Sequence, residues 1–181
     1  MRMMIVPRRR QAGFSMIETL ITLVVISVGL LGLAKLQAAS ISYTQNTRVR
    51  SLIALQTESL AAAMHANKAF WAAGLAPATF TVSAATVTDA SGTLNASVSG
   101  CSSACTPSQL AAYDVQTWAS AMNAKFPSYS ATVTCSTSVS VPVSCIATVS
   151  WNEKSVAINS MTSASGVTSS ATQSFTLYIQ P

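Results

Sequence analysis

A carboxylate set in an apolar run is the residue of this sequence most able to do chemistry. Glu18 lies in Gly13-Phe14-Ser15-Met16-Ile17-Glu18, near the start of a stretch over 14–36 that reads FSMIETLITLVVISVGLLGLAKL. A charged side chain in the middle of a membrane helix costs about 3 kcal/mol on insertion scales. Such a residue is kept for a function, and the plain alternative is a carboxylate solvated at the membrane surface. The cysteines come next. Cys101, Cys105, Cys135 and Cys145 all lie in the C-terminal half. An even count in an exported chain predicts disulfides, and four cysteines allow three pairings. Cys101–Cys105 and Cys135–Cys145 are favoured because each closes a short local loop. A zinc site is the competing reading, but the second pair is too widely spaced for a knuckle and no histidine lies near.

The other reactive residues do not form a catalytic pattern. His65 is the one histidine, and a hydrolase triad would need it with Asp89 or Asp114. No G-x-S-x-G elbow accompanies it. A phosphate-binding G-x-x-x-x-G-K-[ST] loop is also missing, so an assembly ATPase is excluded. Asp89, Asp114 and Glu153 stand alone in sequence, which gives no paired-carboxylate or calcium-loop pattern. Trp71, Trp118 and Trp151 are expected as core or interface residues rather than as a sugar platform. The chain is therefore read as a non-enzyme with no cofactor, no metal and no small-molecule substrate.

These residues must be positioned by a chain of 181 residues, half of them hydrophobic and only 8% charged. That length suits one modest domain plus an appendage. The formal charge of +5 is misleading, because Arg2, Arg8, Arg9 and Arg10 precede the apolar stretch. The remainder carries six basic against five acidic side chains. Arginines before an apolar helix form a positive-inside signal, so nucleic acid is not an expected partner. The stretch over 14–36 is long enough to cross a bilayer, and Lys35 at its far end can reach the interface. A secretory signal peptide would need a shorter core and small residues before the cut, which Leu36-Gln37-Ala38-Ala39 supplies poorly. No cysteine follows the core to carry a lipid, and Arg9-Arg10 lacks the rest of a twin-arginine signal.

The helix is expected to continue past the membrane. Neither proline nor glycine occurs from Gln37 to Asn67, and Val49, Leu52, Ile53, Leu60 and Met64 recur at helical spacing. One helix is predicted over 14–67, apolar all round in its first half and amphipathic in its second. Residues 74–100 carry short alternating runs such as Thr79-Phe80-Thr81-Val82, consistent with weak strands or an irregular loop. A helix start follows at Thr106-Pro107-Ser108-Gln109, with Thr106 as N-cap, Pro107 at the first turn and Gln109 completing a capping box. Leu110, Tyr113, Val115, Trp118 and Met122 extend it to Lys125, and Pro127 ends it. Strands are predicted over 130–135, 143–151 and 173–180, with a Ser/Thr-rich loop over 160–172. The expected architecture is α+β, a long N-terminal helix packed on a small antiparallel sheet.

The run from Gly13 to Glu18, behind its arginines, resembles the type IV prepilin signature. The resemblance implies that a prepilin peptidase cuts between Gly13 and Phe14 and methylates the new N-terminus. It also implies that Glu18 meets the Phe14 amine of a neighbouring subunit. Buried ion pairs set register better than they add stability. The run Ile26-Ser27-Val28-Gly29-Leu30-Leu31-Gly32-Leu33-Ala34-Lys35-Leu36-Gln37 resembles the PilV (type IV pilus modification) group of minor pilins. Cys105-Thr106-Pro107-Ser108-Gln109-Leu110-Ala111-Ala112-Tyr113-Asp114 with Trp118, and Ala147-Thr148-Val149-Ser150-Trp151, are similar to it too. The implied organisation is a leader over 1–13, a transmembrane and assembly half over 14–36, an amphipathic half over 37–67 and a head over 68–181. The implied partners are other minor and major pilins, the prepilin peptidase, the inner-membrane assembly platform and the membrane itself. The chain would start in the inner membrane, leader in the cytoplasm and head in the periplasm, and end in a surface pilus. A type II secretion pseudopilin and a tip adhesin are the alternatives. Gly29 and Gly32 permit close helix approach or partial unwinding.

Overall fold

A computed structural model of the chain describes residues 13–98, 100–101, 104–136, 142–155 and 169–181. Residues 1–12 of the expected leader, and 160–168 of the expected loop, lie outside the described residues. The first element, α1, is one unbroken helix, Met16–Ala66, of 51 residues. At 1.5 Å per residue it is about 77 Å long. It passes straight through Gly29 and Gly32, where an added Cβ would meet nothing within 4 Å.

Only the C-terminal half of α1 packs on the rest of the chain. Ile53, Thr57, Leu60 and Met64 are buried, spaced by four, three and four residues on one face. Thr57 is the polar member of that face, and its hydroxyl donates to the Ile53 carbonyl at 2.8 Å. A threonine can therefore occupy a buried position without leaving a donor unpaired. Asn67 then leaves helical geometry and ends α1. Its side-chain amide donates to the Pro107 carbonyl at 2.7 Å, tying the end of α1 to the start of a later helix. A single turn, α2 (Lys68–Trp71), buries Phe70 and Trp71.

Five strands follow: β1 (Thr79–Ser83), β2 (Thr86–Asp89), β3 (Ser130–Cys135), β4 (Cys145–Ser155) and β5 (Ser169–Ile179). They form one antiparallel sheet in the order β2-β1-β3-β4-β5. Between β2 and β3 runs α3, Pro107–Lys125. Its start has the capping box expected from Thr106, Pro107 and Gln109, with the reciprocal side-chain bonds both present. The fold is α+β, with α1 and α3 covering one face of the sheet.

Of the two readings of the run at Thr79, strand holds: it forms a hairpin with β2, because Phe80 and Val82 point into the core and give β1 a buried face. Two expectations need correction. Residues 169–172 belong to β5, since β4 extends to Ser155 and offers them backbone partners. On α3, Leu110 is half-buried and Tyr113 exposed, while Ala111, Ala112 and Ala119 face the core beside Val115, Trp118 and Met122. Helix packed close to helix selects small residues there.

Alternation gives the sheet two different faces. The inward face carries Phe80, Val82, Ala131, Val133, Ala147 and Val149, all buried. The outward face carries threonines in register. Thr88, Thr81, Thr132, Thr148 and Thr176 are successive cross-strand partners in one row over all five strands.

Candidate functional site

The first half of α1 has no partner within the described residues. Every large apolar side chain from Phe14 to Leu36 is exposed, Phe14 by 82%. The most apolar 18 residues have a mean hydropathy of 2.2 and none of that window is buried. The helix is thus long and apolar enough to cross a membrane, and its surface needs lipid or other helices to cover it. Its hydroxyls do not demand water. Thr19, Thr22 and Ser27 each donate to a carbonyl three residues back, at 2.8 Å. Such internal bonding suits a span in hydrocarbon.

The helix starts at Ser15, which is extended and gives no side-chain cap. The Glu18 backbone N–H donates to the Ser15 carbonyl at 3.0 Å. Glu18 stands in the first turn, where the exposed amide groups of the helix end favour negative charge. Gly13 and Phe14 lie just before this turn in non-helical chain, and nothing crowds Gly13. Peptide, helix start and carboxylate are therefore contiguous and accessible at one end of an exposed helix.

Two side-chain contacts tie the C-terminal half of α1 to the sheet and to α3. Arg50 donates to Glu153 on β4 through Nε and Nη2, each at 2.7 Å. The indole of Trp151 donates to the same carboxylate at 3.0 Å. Arg50 holds the Glu153 carboxyl below the usual carboxylate range, against an opposing effect of burial. The Trp118 indole on α3 donates to the Gln56 carbonyl on α1 at 2.7 Å. Glu153 stands alone in sequence and pairs with Arg50 only through the fold. The two are 103 residues apart, and no local spacing marks them as partners.

The cysteines fall at two places that brace the head. Cys135 and Cys145 are register partners of β3 and β4 and are bonded to each other on the buried face. Cys101 is bonded to Cys105 just before α3. Asp89 closes the turn after β2. Burial pushes its carboxyl up, but bonds from the Ser91 hydroxyl and the Leu94, Ser91 and Thr93 amides outweigh this and hold it low. His65 is exposed near the end of α1. Among the described residues no three His, Cys, Asp or Glu side chains gather where a metal could bind.

Residues 8–34 match the family described as the prokaryotic N-terminal methylation motif. The match covers the helix start, Glu18 and most of the exposed apolar half. Comparison with curated proteins and with solved structures found no match. The chain thus carries the N-terminal motif of type IV pilin-class proteins on a helix apolar enough to anchor it in a membrane.

Proposed function

We propose that this chain is a minor pilin of the PilV type, cut between Gly13 and Phe14 and built into a type IV pilus through α1. The observation that carries the reading is the coincidence of the methylation motif at 8–34 with a helix whose apolar half is wholly exposed. Arg8, Arg9 and Arg10 keep the leader on the cytoplasmic side. The protease removes residues 1–13 and frees an amine on Phe14, which is then methylated. In the membrane the exposed half of α1 is solvated by lipid. In the fibre the same surface packs against neighbouring helices, where small residues such as Gly29 and Gly32 permit close approach.

Glu18 supplies register. Its carboxylate pairs with the Phe14 amine of an adjacent subunit, and the cost of an unpaired charge in hydrocarbon penalises every other stagger. The head over 68–181 is carried outward by the amphipathic half of α1. The assembly partners are other pilins and the inner-membrane platform that extrudes them.

Mass spectrometry of fibres sheared from the native cell tests the reading. An N-terminal peptide beginning at N-methylated Phe14 is the expected result. Processed chain found only in the cell envelope would instead favour a type II secretion pseudopilin. Chain that retains its leader and never enters fibres would overturn the reading.

A further inference from the structure

The outward face of the sheet bears an ordered set of hydroxyl groups that assembly through α1 does not use. The row Thr88, Thr81, Thr132, Thr148 and Thr176 spans every strand. Beside it runs a second row of register partners, Thr86, Ser83, Ser130, Ser150 and Ser174. None of these ten residues is charged. A solvated sheet face ordinarily carries lysine or glutamate, which keep it soluble and unpaired. Hydroxyls at each position both donate and accept. Neighbours within a row are about 4.8 Å apart, and the rows about 6.8 Å apart.

A third row distinguishes this face from a merely polar one. Ile146 and Tyr178 are register partners next to Thr148 and Thr176, and they expose 46% and 63% of their surface. An aromatic ring standing free beside a hydroxyl grid offers an apolar platform and a set of polar partners together. The backing is rigid, because the alternate residues of the same strands are core. Threonine is also stiff at χ1, so fixing these side chains on a ligand loses little entropy. The Thr148 and Thr176 hydroxyls lie 3.3 Å apart and bond to each other. Those of Thr81, Thr88 and Thr132 make no hydrogen bond among the described residues.

We propose that the outer sheet face, with its threonine row and the exposed Tyr178–Ile146 pair, is a docking surface for a linear, neutral polysaccharide laid across the strands. A sugar ring has an apolar face for Tyr178 and a rim of hydroxyls for the rows. The absence of charge from the two hydroxyl rows disfavours an anionic ligand such as nucleic acid there. Strand twist turns each threonine relative to the last, which a linear chain can follow and a flat crystal such as ice cannot.

Purified full-length chain in detergent micelles would be passed over immobilised β-glucan, mannan, galactan and chitin, with dextran sulfate as the charged control. Unassembled chain is used, so the result does not depend on fibre formation. Retention on at least one neutral polymer is expected, with affinity at least tenfold weaker for Tyr178→Ala and for Thr132→Lys/Thr148→Lys. Melting curves would verify that both variants are folded. Tyr178 is exposed, so its variant decides the matter if the double lysine variant is unstable. Retention on dextran sulfate alone, retention on none, or unchanged retention of the variants would overturn the proposal. So would self-association lost in Tyr178→Ala without any polymer binding, which assigns the face to a second copy.

Discussion

Arg50 on α1 grips Glu153 on β4 with two hydrogen bonds of 2.7 Å, and the carboxylate is almost fully buried while the guanidinium is half exposed. The pair lies where β4 and β5 extend beyond β3, since the last β3 partner is Ser150. It therefore fixes the projecting strand ribbon to the helix. Two prongs fix orientation as well as distance, which a single lysine contact would not do.

The pH dependence of that contact has a definite sign. The folded Glu153 carboxyl titrates below its ordinary value of 4.5. Its stabilisation is fully present above that value and is lost as the pH falls through the folded value. Glu153→Gln should flatten the stability loss below about pH 4.5. Glu153→Ala should cost about 2 kcal/mol at neutral pH, because it also strands the Trp151 indole donor. Thermal melts of wild type and variants at pH 4 and 7 check both statements.

The β1–β2 turn holds the one non-glycine residue with positive φ among the described residues, Ala84 at 51°. A β-branched side chain there meets the carbonyl it precedes. Ala84→Val should destabilise the head by at least about 1 kcal/mol, and Ala84→Gly should lie within about half that of wild type. Chemical denaturation of the two variants distinguishes this from a general effect of substitution in the loop.

The start of α3 offers a third measurement. Thr106 accepts from the Gln109 amide while Gln109 Oε1 accepts from the Thr106 amide. Thr106→Ala should cost about 1 kcal/mol. Thr106→Ser should recover most of it, read by the same denaturation curves.

Cys135–Cys145 joins residues ten apart across a strand pair. Replacing both with alanine should lower stability by about 2–3 kcal/mol, mostly by freeing the unfolded chain. Loss of a larger amount would show that the buried sulfurs also fill core space. Non-reducing and reducing melts of both wild type and variant separate the two contributions, since reduction also opens Cys101–Cys105.

Glu18→Gln should leave the head's melting curve unchanged, since no contact joins it to the head among the described residues. The same variant should lower the amount of chain recovered in sheared fibres at least tenfold. Unchanged recovery would remove Glu18 from any role in register.

The sequence by itself determined the parts governed by local physics. The apolar run at 14–36 and the lack of helix breakers to Asn67 specify one long helix. Thr106, Pro107 and Gln109 specify where α3 begins, because caps are short-range hydrogen bonds. Gly13 to Glu18 gave a legible signature for the same reason. What was not legible depended on distant partners. The alternation at Thr79-Phe80-Thr81-Val82 left strand and loop both open, because the Ala84-Ala85 turn has none of the Gly, Asn or Asp that marks a two-residue hairpin. The paired edge that decides for strand is supplied by β3. Arg50 finds Glu153, Trp118 finds the Gln56 carbonyl and Asn67 finds Pro107 across 103, 62 and 40 residues. The threonine row has the same character. Each threonine is an ordinary outward strand residue, and only the register of four strand pairings aligns the five of them.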